Sequence, residues 1–400
     1  MKMLSICTFA AMLASGVAHA AITSNTITIG VLTDMSGFAS DSTGAGSVAA
    51  AELAVEDIGG KVGGKPVKVI FSDHQNKADI GAATARSWVE QGGVDAIVDV
   101  PFSSVAMAVN EATRNAPHTA FLASGPGTAD LTGEKCSPNT VHWTYDSWAL
   151  ANGTAKAVVK NGGDSWFFVT ADYAFGQALE RDAAAAVTAS GGKVLGSVRH
   201  PPNSQDFSSF MLQAQASKAK VVGLANAVGD TINSVKQAAE FGVMPTQSIA
   251  ALLMQLTDVN ALGLQAAQGL YLTEPFYWDL TDKTRAFAKR FGAKRDGRMP
   301  TANQAGVYSA VLQYLKAMAA ADTEAVGPIL AKMRSAPMED PLFGTTTLRI
   351  DGRAVHDMYL FRVKTPAASK APWDYYEMMQ TIPAKEAFRP LSDGHCPLAS

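Results

Sequence analysis

The stretch Ile27-Thr28-Ile29-Gly30-Val31-Leu32-Thr33 is an unbroken run of aliphatic and β-branched residues. A strand wetted on one face alternates apolar with polar residues, whereas one covered on both faces reads as a continuous apolar run. The run therefore reads as a buried strand. Val67 to Ser72, Ala96 to Val100 and Thr119 to Ala123 read the same way. Between them Val48, Ala51, Val55 and Ile58 recur at helical spacing, and Lys77 to Gln91 reads as helix. This βαβα order predicts a parallel sheet with helices on both faces.

The pattern then starts afresh. Ser165 to Thr170, Lys193 to Val198, Val221 to Ala225 and Ser248 to Leu252 are strands by the same criteria. Leu179, Ala183, Ala186 and Val187 mark one intervening helix, and Asp230 to Phe241 another. Gly162-Gly163, Gly191-Gly192 and Gly242 stand where helix ends need a left-handed residue. Further helices are predicted at Thr281 to Phe291, Asn303 to Ala319 and Thr323 to Met333. No low-complexity linker separates the two units. The connection near Val141 to Asp146 reads as a direct passage between lobes, and a cleft between lobes that can pivot is the expected ligand site.

The first twenty residues read as an export signal. Lys2 precedes a short apolar stretch from Leu4 to Val17, and Ala18-His19-Ala20 has the small-x-small form of a cleavage site after Ala20. The stretch is too short to span a bilayer. Cys7 lies within it and lacks the context of a lipid-modified cysteine. The mature chain of about 380 residues has the length of two ordinary domains. With 47% hydrophobic against 17% charged residues it can bury substantial cores. Its formal charge moves from −3 to −4 on losing Lys2, too mild a value to argue for nucleic acid or an anionic membrane. Cys136 and Cys396 remain, and an even pair in an exported chain favours a disulfide over two free thiols. Their spacing is not that of a structural zinc site.

Signatures of catalysis are missing from the sequence. There is no GxSxG elbow, HExxH, P-loop or GxGxxG opening a helix. The seven histidines are scattered, none at metal-ligand spacing from another. Neither a cofactor nor a metal is expected, and the reading is not that of an enzyme. The informative segments follow predicted strands. Ser103-Ser104 comes after Val100-Pro101, and Ser124-Gly125-Pro126-Gly127-Thr128 after Ala123. Gly125 and Gly127 let backbone approach a ligand closely, and exposed N–H groups of such a turn suit a carboxylate; a plain Gly-Pro turn before a helix-capping Asp130 is the other reading. Tyr173 and Phe175 follow Thr170 and offer an apolar wall or junction packing. Asn226-Ala227 ends another strand. Tyr277-Trp278 lines the hinge side of the cleft or packs in the core.

In this order and spacing the chain resembles type I periplasmic solute-binding proteins of the branched-chain amino-acid importer class. The resemblance is carried by Ile27 to Leu32 followed by Asp34-Met35-Ser36-Gly37, the Ser124 to Gly133 loop, Asp172-Tyr173-Ala174-Phe175-Gly176 and Asp206-Phe207-Ser208. It extends to about residue 365. It implies an α/β architecture of two Rossmann-like lobes with parallel sheets joined by three crossover segments, the third near His356 to Phe361. The lobes would comprise residues 21–143 with 273–355, and 144–272 with the tail 356–400. The resemblance also implies a monomeric periplasmic receptor that closes on a small molecule and delivers it to an inner-membrane ABC permease, ATP being hydrolysed by a separate subunit.

Carried over residue by residue, Phe102, Ser103 and Ser104 with the backbone of Gly125, Gly127 and Thr128 would hold a ligand carboxylate. Phe175 stands where amino-acid receptors often carry a tyrosine, and Asn226-Ala227 where they have aromatic or glycine positions. Near Leu252-Leu253-Met254-Gln255 such receptors place an acid that pairs with the ligand's ammonium, and this chain has none until Asp258. A buried ammonium without a carboxylate partner costs several kcal/mol. The expected ligand is thus a carboxylate without an α-ammonium, such as an aromatic or short keto or hydroxy acid. A branched-chain amino-acid or amide receptor, or a periplasmic sensory module, is the alternative.

Overall fold

A computed structural model describes residues 22–399 apart from Gly92 and Pro245. The proposed signal segment and its cleavage point lie outside the described residues.

The chain opens with β1 (Ile27–Thr33), α1 (Gly44–Asp57), the short hairpin β2 (Lys61–Val62) and β3 (Lys65–Asp73), then α2 (Ala78–Glu90), β4 (Ala96–Asp99), α3 (Ser103–Thr113), β5 (Ala120–Ala123) and β6 (Thr140–His142). These strands form one sheet in the order β2-β3-β1-β4-β5-β6, parallel except for β2. β1 lies at its centre and all seven of its residues are buried. That double-sided burial is the reason its sequence shows no alternation.

A second unit follows with α4 (Ser147–Lys160), β7 (Ser165–Ala171), α5 (Ala174–Ala189), β8 (Lys193–His200), α6 (Ser208–Ala216), β9 (Val221–Ala225), α7 (Gly229–Glu240), β10 (Ser248–Ala251), α8 (Leu256–Leu262), α9 (Leu264–Ala267) and β11 (Tyr271–Glu274). Gly162, Gly191 and Gly242 follow α4, α5 and α7 at φ of 94°, 86° and 68°, the left-handed termination that their positions predicted. The chain then returns with α10 (Asp282–Lys294), α11 (Ala302–Ala321), α12 (Val326–Arg334) and a small antiparallel sheet of β12 (Met338–Asp340), β13 (Gly344–Leu348) and β14 (Ala354–Val355). Finally β15 (Met358–Val363), β16 (Tyr376–Ile382) and the single turn α13 (Ala384–Ala387) complete a second sheet ordered β16-β15-β11-β10-β9-β7-β8. β15 runs antiparallel to both of its neighbours, β11 and β16.

The cores show where the chain changes lobe. Trp143 packs in the first lobe's core and Tyr145 in the second's, two residues later. Leu272 belongs to the second lobe and Phe276 to the first; Ala354 belongs to the first and Met358 to the second. These are three crossovers.

The tail adds a fourth passage. Phe388 is buried in the second lobe's core, but Arg389 donates to the Ala129 carbonyl at 3.1 Å and its own carbonyl accepts from Arg349 at 2.7 Å, both on the first lobe. Cys396 then forms the disulfide with Cys136, Cα atoms 5.7 Å apart. The end of the tail, grouped by the sequence with the second lobe, makes these contacts with the first. Among the described residues no helix is long and apolar enough to cross a membrane.

Candidate functional site

Each sheet has one point where successive strands are added on opposite sides: β3-β1-β4 in the first and β8-β7-β9 in the second. Loops leaving the carboxyl ends of strands part there and leave a crevice. The two crevices face each other and form one narrow cleft. The loops after β1 and β4 supply Phe38, Ala39, Ser42, Pro101, Phe102 and Ser103. Gly125 and Gly127 follow β5, and Tyr145 comes from the first crossover. The second lobe supplies Tyr173 and Phe175 after β7, Ala227 and Val228 after β9, and Leu253, Gln255 and Asp258 after β10. Asn303, at the start of α11, completes the lining.

Local interactions fix these loops. The buried Asp34 carboxylate accepts from the Gly37 and Ala39 N–H groups at 2.7 and 3.0 Å, turning the loop that presents Phe38. Phe38 packs on Phe102 with ring centres 5.0 Å apart. A Cβ at Gly125 would lie 2.6 Å from Pro101 Cα and 2.7 Å from Asp99 Oδ1, and one at Gly127 would overlap the Phe175 ring. Both glycines thus allow backbone to approach where a side chain would not fit.

Of the helices that start at the cleft, three have an N-cap residue that makes no side-chain cap. Phe102, Tyr173 and Val228 are the N-cap residues of α3, α5 and α7, and none of these side chains bonds its helix's first turn. All three N-caps line the cleft. Apolar residues at N-caps leave first-turn N–H groups to other partners, and each helix start carries the positive end of its macrodipole. No lysine, arginine or histidine is among the described lining residues. The positive potential on an anion here comes from helix ends and backbone.

Backbone strain collects at the same place. Asp99 and Val100 have φ of 82° and 58°, just before Pro101, and Val228 has φ 51° with ψ −120°. The last is a conformation that glycine adopts freely and a β-branched residue does not. Val228→Gly is expected to raise the unfolding free energy of the ligand-free protein by about 1–3 kcal/mol from relieved strain, less the packing of the lost isopropyl group. Urea denaturation measures this, and a variant less stable than the parent would show that packing outweighs strain.

Acidic groups lie at or near the cleft as well. Burial pushes the Asp258 carboxyl up to about 7, although it accepts from the Gln255 N–H at 2.8 Å. Burial, with Asp258 nearby, holds Glu274 well above its ordinary range. Asp99 is raised to about 6 by burial. Gln255 Nε2 donates to the Tyr145 hydroxyl at 3.3 Å, and buried Gln255 Oε1 and Asn303 Oδ1 have no hydrogen-bond partner. The uncapped starts of α3, α5 and α7 thus face a cleft to which α8 and α11 bring unpartnered acceptors.

Seven of the residues expected from the sequence meet at this lining: Phe102, Ser103, Gly125, Gly127, Tyr173, Phe175 and Ala227. Ser104 and Thr128 line an adjoining cavity instead, and Thr128 Oγ1 accepts from the Asp130 N–H. Three others lie off the cleft. Asn226 is buried, its carboxamide engaged by Thr231, Ser234 and His200. Met254 packs in the core behind β10. The Tyr277 hydroxyl bonds the Trp373 carbonyl and the Tyr375 N–H, and its ring packs on Tyr376 and Phe361. A residue next to a strand end points alternately into the core or the cleft, and the sequence does not say which. The loop after β1 was not singled out, although the strand order places it at a crevice. Asp258 lines the cleft, and Asp230, at the start of α7, does not.

The sequence profile of a family described as periplasmic binding protein matches residues 26–370. A solved periplasmic binding protein from Burkholderia mallei is 48% identical, with a TM-score of 0.90, covering 94% of this chain and 99% of that one. A branched chain amino acid ABC transporter periplasmic ligand-binding protein from Burkholderia xenovorans LB400 is 41% identical, with a TM-score of 0.86, covering 94% of this chain and 100% of that one. A curated relative, Leu/Ile/Val-binding protein homolog 6 of Brucella abortus (strain 2308), is 27% identical over 165 residues, which span 41% of this chain and 42% of that protein.

Proposed function

We propose, from the premise that this chain belongs to the periplasmic binding protein family, that it is the solute receptor of an ABC importer and takes a small carboxylate with an apolar body. Family membership implies a periplasmic setting and a role in binding, not turnover. The observation that carries the ligand class is the convergence of three N-cap residues without side-chain caps on one cleft. Helix N-termini bind anions through N–H groups and dipoles without a charged side chain. The phenyl and phenol rings of Phe38, Phe102, Tyr145, Tyr173 and Phe175 then surround the rest of the ligand, as in sites where apolar walls supply area and a few polar groups set orientation. An aromatic or short keto or hydroxy acid meets these demands. The permease would receive the ligand from the closed form, and a monomer suffices for that.

A second reading has a specific observation in its favour. Asp258 lines the cleft beside unpartnered acceptors on Gln255 and Asn303, a set that suits an ammonium or amide on the ligand. Titrating refolded, ligand-stripped protein with benzoate, pyruvate and leucine distinguishes the two. Binding of the acids without leucine supports the first reading, and leucine binding without the acids ends it.

The pH dependence has opposite signs for the two ligands. Asp258 is neutral below about 7 and charged above it. An acid without an ammonium is therefore expected to bind more weakly as pH rises from 6.5 to 8.5, by at most about tenfold per unit for one proton. An amino acid should hold or gain affinity over that range. In Asp258→Asn the dependence should shrink to what the raised Asp99 and Glu274 carboxyls contribute. An acid whose binding tightens with pH would count against this assignment.

A further inference from the structure

The cleft has a neighbour. A second, more open cavity between the lobes is lined from the first by Ser104, Met107 and Thr128 and from the second by Gln177 and Arg181. The two cavities share two lining residues, Ser103 and Phe175. Ser103 is small, so the partition between them is the phenyl ring of Phe175.

That ring is placed with care. Phe175 is the second residue of α5 and only 4% exposed. Tyr173 lies against it, ring centres 6.1 Å apart. From the second lobe the ring crosses the gap and rests on Gly127 of the first, where any Cβ would overlap it. Its seat depends on a glycine that belongs to the other lobe. The chemistry changes across the ring. The inner side is walled by Phe102, Tyr145 and Leu253, while the outer cavity presents Met107, hydroxyls, a carboxamide, the Asp130 carboxylate and the Arg181 guanidinium.

We propose that Phe175, seated on Gly127, is a length filter: it closes the inner cleft against the outer cavity and restricts the receptor to carboxylates with short bodies. The inference rests on the carboxylate-receptor reading above and adds the residue that sets the ligand's size. A ligand body directed from the inner cleft toward the outer cavity would meet the ring. Without the ring it would continue into the outer cavity.

The test measures binding of an ω-phenyl carboxylate series, from benzoate through phenylacetate and 3-phenylpropionate to 6-phenylhexanoate, by calorimetry on ligand-stripped parent, Phe175→Ala and Phe175→Leu. The parent should bind a short member and lose at least about tenfold within two further methylenes, since the ring cannot yield without leaving its glycine seat. In Phe175→Ala the preferred length should move outward by two or more methylenes. Each one newly accommodated should tighten binding by at most roughly fourfold, the worth of one fully buried methylene. Phe175→Leu keeps an apolar side chain in the core and guards against misfolding; it should shift the preference less. The same cut-off in parent and both variants overturns the filter and leaves the receptor reading standing. A parent that binds no member of the series, nor pyruvate, overturns the carboxylate reading and the filter with it.

Discussion

Replacing Arg353 with alanine is expected to lower the unfolding free energy by about 3–5 kcal/mol, the loss typical when one partner of a buried ion pair is removed. Arg353 is fully buried where the first and third crossovers touch. Its Nη1 lies 3.3 Å from both Asp146 Oδ2 and the Tyr145 carbonyl, and Nε donates to the Ala354 carbonyl at 3.0 Å. The guanidinium also sits 4.6 Å above the Phe388 ring centre, a cation–π contact worth most when desolvated. Burial pulls its pKa down to about 10 although Asp146 opposes the shift, so desolvation is the dominant cost here. Alanine would strand Asp146, which is buried and whose other oxygen caps α4 through the Ala149 N–H at 2.8 Å. Urea denaturation of the ligand-free variant measures the effect. Arg353→Lys should lose less, because the charge survives while the planar fork does not. A loss under about 1 kcal/mol for alanine would mean that water or a shifted side chain replaces the arginine at no cost.

Removing the disulfide, by Cys136→Ser with Cys396→Ser, should cost about 5–6 kcal/mol in the chain-entropy treatment, above the usual range because the loop is so long. The bridge closes a loop between residues 260 apart in sequence, so it restricts the unfolded chain strongly. Its native role is local. It pins the tail to the first lobe after Phe388 has packed in the second, leaving the Arg389 hydrogen bonds as the remaining polar ties described for that passage. Thermal unfolding of the double variant should therefore fall well below the parent, and amides of residues 389–396 should exchange faster. A midpoint unchanged by the substitutions would mean that those noncovalent contacts hold the tail unaided. The parent treated with reductant should behave as the double variant does.

The major strands were legible because parallel sheets bury both faces. β1 spans Ile27–Thr33 as read, and β9 spans Val221–Ala225 as read; the helix read over Lys77 to Gln91 is Ala78–Glu90. Strands with weaker signals went unread. β16 buries only Tyr376 and Ile382 at its ends and exposes the five residues between, so its apolar residues mark no buried face. β2 and β14 have two residues each, too few for any period. Of the site, the loops at Phe102, Gly125, Tyr173 and Ala227 were found because each follows a strand whose end could be located.

By itself the amino-acid sequence determined the α/β class, the two successive units, the pairing of Cys136 with Cys396 as the favoured option and the segments from which a cleft is drawn. These follow from hydrophobic period, glycine placement and cysteine count, which act over a few residues or through composition. Only the tertiary structure decided that Phe38, Tyr145, Asp258 and Asn303 meet at one cleft, that Asn226 and Tyr277 turn away from it, and that Arg353 is buried at the crossing of two chain segments. The physical reason is that such neighbours are far apart along the chain. Their meeting is set by strand order, by which side of a strand end each side chain leaves, and by the docking of one lobe on the other, none of which is written in any local pattern.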